Sequence, residues 1–291
     1  MIAAGQIVDK GIARIYDENP TRLLVVPKGG FLAAIRAGLI ALFVLAVPVA
    51  LIATNIRIAV SEQRVYDYAV NTYDAAAVSG IPESELLRAN RQIHRYLTIQ
   101  DPPPLAIDVT NRPGVSGPLF TAKETAHMAD VQNLVQTLFT VQVISAASTL
   151  TLAVLLLVFA GPRALAIAAL GGALLTGGVL ALAGLAFATG FDSAWTQFHV
   201  LAFSNDFWSL DPNKDHLIQM FPEAFWRDIT AVIVFATLLE ASVMAGAVAA
   251  YLVLGSRERR RPVLWPGLAT AGAARRTRPR TVLPRPGHYF R

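Results

Sequence analysis

Cysteine is absent from the 291 residues. The chain therefore has no disulfide, no thiolate nucleophile and no zinc–cysteine site. Charge is scarce too: 15% of residues are charged and 54% are hydrophobic, too apolar for an ordinary soluble domain. No GxSxG elbow, HExxH, close HxH pair or phosphate-cradling glycine loop occurs, so serine-hydrolase, zincin and nucleotide-dependent chemistries lack their usual carriers. Internal repeats are missing as well. The net charge of +5 belongs to one end: residues 257–291 hold ten bases and one acid, leaving 15 bases and 19 acids for the rest. No nucleic-acid partner is expected from such a tail.

What the sequence has is long apolar runs. Residues 31–55, 136–160, 164–188 and 229–254 each meet the roughly 20 residues needed to cross a ~30 Å hydrocarbon core. Arg36 and Glu240 are the ionisable exceptions. The first run starts too far from Met1 and is too long for a cleaved signal peptide, so it reads as a retained span. Lys28, Arg36, Arg163 and Arg257–Arg261 flank the spans on one side, whereas the two other connections carry 9 bases against 15 acids. Positive charge marks the cytoplasmic side. The expected fold is an all-α membrane protein with four transmembrane helices, N-in/C-in, and an extracytoplasmic helical cap formed by two external connections, 56–135 and 189–228. Residues 1–30 are then a cytoplasmic lead-in, 31–255 the four-helix domain, and 256–291 a disordered basic tail touching anionic lipid.

In the first connection, IPESELLRANRQIHRYL puts Leu86, Ala89, Ile93 and Leu97 on one helical face, with Pro82 in the first turn. DPPPLAIDVTNRPGVSG reads as an extended or turn segment. Thr121 and Glu124 form a capping box, and the helical period then runs unbroken into the second span. Glu124, His127, Val131, Leu134 and Leu138 share a stripe. In span three, Ala168/Gly172 and Gly177/Ala181 are spaced for close helix packing within the chain.

Two histidines stand out where helices meet the membrane surface. His127 lies between Glu124 and Asp130, either of which can reach its ring and fix its tautomer; the competing reading is a solvated interfacial residue. His199 lies in WTQFHVLAFSNDFW, where Gln197, Asn205 and Asp206 alternate with aromatic rings. An aromatic belt explains the rings but not the histidine, amide and acid among them. In DPNKDHLIQMFPEAFW a short interfacial helix is expected, with Asp211 capping it, Pro212 first, Pro222 ending it, and Leu217, Ile218, Met220 and Phe221 dipping into the acyl region. His216 reads as a polar-face residue. Asp130 and Asp206 with the two histidines could in principle ligate zinc, but they come from distant elements; neither metal nor cofactor is expected.

Together, EtaHMaDV (Glu124–Val131) and FHvlaFsNDfWsLDP…dhLIqMFPEaFW (Phe198–Trp226) on a four-span chain resemble the bacterial lipoprotein intramolecular transacylases. The resemblance spans roughly residues 30–255 and leaves the basic extension outside. It implies an acyltransferase of the bacterial cell membrane, multi-pass, with its active site at the extracytoplasmic face. Its substrates would be diacylated lipoproteins, among membrane lipids. The sn-2 acyl chain moves to the α-amine of the N-terminal cysteine, giving lyso-form lipoprotein. The family's two important histidines fall on His127 and His199, an acid–base pair; Glu124 or Asp130 would orient His127, and Asn205, Asp206 and Trp208 are orienting or oxyanion candidates. Either imidazole could take the amine's proton or carry the acyl group transiently. The rival classes are a metal-dependent membrane hydrolase and a non-enzymatic membrane scaffold; transport is disfavoured because Glu240 alone is ionisable deep in a span.

Overall fold

The computed structural model of the chain describes residues 28–188 and 190–259. The expected lead-in before Lys28 and most of the basic tail lie outside these residues. The chain divides into two units, Met1–Tyr251 and Leu252–Arg291; of the second, only the continuation of the last helix is described. Nine α-helices and two short strands follow in order among the described residues: α1 (Lys28–Ser61), α2 (Gln63–Thr72), α3 (Ala75–Ser79), α4 (Glu83–Thr98), β1 (Asp108–Thr110), β2 (Ser116–Pro118), α5 (Ala122–Ala160), α6 (Pro162–Ala188), α7 (Phe191–Ala202), α8 (His216–Met220) and α9 (Glu223–Arg259).

Among the described residues, four helices are long and apolar enough to cross a membrane: α1, α5, α6 and α9. An α-helix satisfies its backbone polar groups internally, the requirement for passing through lipid; in α1, Pro48 lacks one of those N–H donors. Leu42, Leu150, Val158, Leu182 and Phe235 are more than half exposed along the four helices, as lipid-facing residues are. α5 has 39 residues and is about 58 Å long at 1.5 Å per residue, so it projects well beyond a hydrocarbon core. The turn into α6 is tight: Gly161 sits at φ 84°, a conformation that costs a side chain dearly, and Pro162 opens the next helix where its missing N–H is no loss.

Small residues bring α6 against α1. Ala168 is fully buried, and a Cβ on Gly172 would lie 2.8 Å from the Val47 side chain. The second small pair does not pack in this way: Gly177 faces open space and Ala181 is exposed. Between α1 and α9, the Asn55 amide donates to Glu240 Oε2 at 2.9 Å and to Thr237 Oγ1 at 3.1 Å. The ionisable residue of span four is thus held by a neighbouring helix.

The segments between α1 and α5 and between α6 and α9 share one core at one end of the spans. The face foreseen on α4 is its centre: Leu86, Ala89, Ile93 and Leu97 are buried with Tyr66, Phe120, Met128 and Phe225. Pro82 stands one position earlier than expected, as the N-cap. The proline-rich segment is more ordered than expected. Its strands β1 and β2 pair antiparallel with Val109 opposite Gly117, and Asn111 Oδ1 closes the turn by accepting from the Val115 N–H. On the far side, the Tyr68 and Tyr73 hydroxyls both donate to Asp228 Oδ2, fastening α2 and the α2–α3 turn to α9.

The segment around α8 corrects two expectations. The helix starts at His216 rather than after Asp211, because Asp211 turns inward: its N–H donates to Asp215 Oδ2, and its carboxylate accepts from the Asn213 N–H. Pro222 lies just before α9. Leu217, Met220 and Phe221 are buried in the shared core, not in lipid. Packing among the apolar side chains of this core already removes them from water.

Candidate active site

His127 and His199 meet. Their ring centroids are 6.0 Å apart. Capping delivers the first: the Thr121–Glu124 box starts α5 and sets His127 in its second turn, 6% exposed. A bend at Gly190 (φ 142°) delivers the second, separating α6 from α7 so that the chain re-enters a helix carrying His199, 8% exposed.

The two imidazoles differ in their bonding. His199 Nδ1 lies 2.8 Å from the Trp195 carbonyl. A carbonyl only accepts, so Nδ1 carries the hydrogen and Nε2 the lone pair. Burial lowers the His199 pKa below the ordinary histidine value, with the Trp195 bond pulling the other way. His127 Nδ1, in contrast, is buried with no partner among the described residues. A buried polar atom without a partner is uncommon and costs roughly 1–3 kcal/mol, which a bound group could recover.

Aromatic rings enclose the pair. Trp195 and Phe198 stand edge-on to His199 at 4.6 and 5.2 Å, Trp208 lies tilted at 5.1 Å, and Phe203 meets His127 edge-on at 5.1 Å. Both histidines open onto a cavity of about 400 Å³, within the usual size range of small-molecule sites. The foreseen α5 stripe lines it: Val131, Leu134 and Leu138 continue below His127, facing Ile56 and Val60 of α1 and Ile229 and Ile233 of α9.

Several expected partners do other work. Glu124 does not bond His127. Its Oε2 accepts from the Thr121 N–H and hydroxyl, and Oε1 from the Leu217 N–H at 2.7 Å. A capping carboxylate must point back over the helix start, away from the residue one turn on. Asp130 accepts from Asn205 Nδ2 at 2.9 Å, while Asn205 Oδ1 accepts from the Phe207 N–H. The Trp208 indole N–H is committed to the Asn205 carbonyl, so this residue supplies a wall and not an oxyanion donor. Asp206 is exposed and outside the cavity lining. His216 bonds Gln219. Among the described residues, no three His, Asp or Glu side chains gather where an ion could be held. In sequence, Trp195 and Phe203 read only as rings of the aromatic segment; the i, i+4 spacing of Trp195 and His199 on one helix was the available signal for the first.

Fold and site define a multi-pass helical membrane protein with a buried pair of histidines beside an apolar cavity. The family model of the lipoprotein intramolecular transacylase Lit matches residues 41–226, and the chain belongs to that family. It is an acyltransferase that acts on lipoproteins. No curated protein matches. Among solved structures the fold is similar to the in meso structure of the membrane-integral transacylase Lit from Bacillus cereus, with TM-score 0.66 and 21% identity over 78% of this chain and 99% of that one. Two variants of that protein, with one histidine replaced by arginine or by alanine, are similar at TM-scores 0.63 and 0.64, with 21% and 20% identity. They cover 79% of this chain, and 97% and 98% of their own lengths.

Proposed function

We propose that the chain moves the sn-2 acyl chain of a diacylglyceryl-modified lipoprotein to the α-amine of its N-terminal cysteine, with His127 and His199 as the acid–base pair. The observation that carries this reading is the 6.0 Å approach of two buried imidazoles on the wall of an apolar cavity. In the reaction the amine nitrogen bonds the ester carbonyl carbon, the bond from that carbon to the glycerol oxygen breaks, and the amine's proton ends on that oxygen. An amide and an alcohol replace an ester and an amine, and no co-reactant is consumed.

A neutral amine is the nucleophile, and an α-amine has a pKa of about 7.7–8.0, close enough to histidine for efficient proton transfer. The His199 Nε2 lone pair suits proton acceptance, and the unpartnered His127 Nδ1 suits a bond to the substrate ester. Donor and acceptor sit on one molecule, so holding them together draws on effective molarities of about 10⁵ M or more. The apolar wall receives the acyl chains and keeps out water, which would divert the ester to hydrolysis. The charge asymmetry of the connections supports an extracytoplasmic site in the cell membrane, with both termini inside.

The test is mass spectrometry of a diacylated lipopeptide incubated with the purified protein in lipid. Unchanged mass with one fatty acid relocated to the amine is expected. Loss of that fatty acid to solution makes the protein a hydrolase, and an unaltered lipopeptide removes the reading.

A further inference from the structure

One charged group on the cavity wall has no part in the scheme above. Glu223, at the start of α9, lines the same cavity as His127 and His199, and no Lys or Arg does so among the described residues. Trp195 of α7 stacks on Trp226 of α9 with centroids 5.0 Å apart. One turn before each ring stands an acid, Asp192 on α7 and Glu223 on α9. The stack thus brings the two acids near one another, Asp192 exposed and Glu223 half-buried. Two acids so placed concentrate negative charge on this part of the wall. The start of α9 favours that charge, because helix N–H groups point toward it.

Arg227, one turn further along α9, acts on Glu223 but lies outside the cavity lining, so a ligand cation can meet Glu223 from within the cavity. A second polar atom in the same cavity also waits for a partner: His127 Nδ1, in a residue only 6% exposed. One ligand that satisfies both brings a cation and a polar acyl ester together on acyl chains. We infer that Glu223, backed by Asp192, binds the α-ammonium of the acceptor and so selects lipoproteins whose N-terminus is still free. This rests on the acyl-transfer reading above. The carboxyl pair holds the amine in its charged, unreactive form until an imidazole takes the proton. It therefore contributes to binding and not to the chemical step.

The experiment compares two diacylated lipopeptides, one with a free α-amine and one N-acetylated, binding to the protein in phosphatidylglycerol nanodiscs. At neutral pH most of the free amine is charged. The wild type is expected to bind the free amine about tenfold or more tightly, the size of one charge-assisted hydrogen bond. Glu223→Gln together with Asp192→Asn removes the charge with little change of shape. That double variant is expected to bind both peptides alike, and to turn over the free-amine peptide with KM raised about tenfold and kcat nearly unchanged. Equal wild-type affinity for the two peptides overturns the inference, whether or not the variant folds. So does a variant that keeps the preference, or one that loses kcat with KM intact. Loss of the wild-type preference when phosphatidylethanolamine is added assigns the site to lipid ammonium and overturns it too. A wild type that prefers the free amine but never relocates its acyl chain refutes the acyl-transfer reading and leaves the ammonium site standing.

Discussion

Asn205 donates a 2.9 Å hydrogen bond to Asp130 and thereby ties the segment after α7 to α5 one turn beyond His127. Lys123 adds a second tie by donating to the Ser209 carbonyl. The two histidines lie far apart in sequence, and these ties sit beside the point where they meet. Asn205→Ala is accordingly expected to lower turnover by roughly tenfold to a hundredfold through loss of alignment. Its thermal midpoint should hardly move, because the bond is only part-buried. Initial rates of lyso-lipopeptide formation measure this, and a wild-type rate would count against the alignment role.

The protonation of His199 has a definite sign. Burial favours its neutral form, so folding holds its pKa below the unfolded value of about 6.5. The stability that this burial allows is fully present above 6.5 and is lost as pH falls through the lower folded value. In a selectively labelled protein the His199 ring should titrate with a midpoint under 6.5 by NMR. A midpoint at or above 6.5 contradicts the burial described here.

Glu124 is a structural residue in this fold. Glu124→Gln is expected to destabilise the protein by about 1–3 kcal/mol, since its two carboxyl oxygens accept from both the α5 cap and the α8 backbone and an amide leaves one of those donors unpaired. The rate per folded molecule should stay near that of the wild type. A stable but inactive variant would return Glu124 to the role of orienting His127.

Much of this was legible in the sequence for identifiable reasons. Spans announce themselves because lipid imposes length and apolarity together, and the α4 face did so because four apolar residues at helical spacing need a core. The capping box was readable because its residues are three apart. What sequence hid was pairing at a distance. The Glu124 carboxylate is claimed by the Leu217 N–H, and the Trp208 indole by a carbonyl in its own loop; neither competition leaves a local trace. Leu217 and Met220 were assigned to lipid because an apolar helical face does not say which apolar partner it meets. The strands β1 and β2 were missed because three residues are too few to show alternation.

Close packing of α6 on α1 separates two glycines that look alike in sequence. Gly172→Leu has to displace Val47 and is expected to cost about 1–3 kcal/mol or more. Gly177→Leu, with open space before it, should be nearly neutral. Thermal unfolding of both variants in one detergent checks the contrast, and equal losses would contradict the packing.

The most direct measurement takes single-turnover rates of acyl relocation for the wild type, His127→Ala, His199→Ala and the variant carrying both. If the rings act as one unit on one bound lipid, each single change should cost about 10²–10⁴-fold. The doubly changed protein should then be scarcely slower than either. A wild-type rate from either single variant, with the protein intact in the membrane, would show that the two imidazoles do not share the reaction.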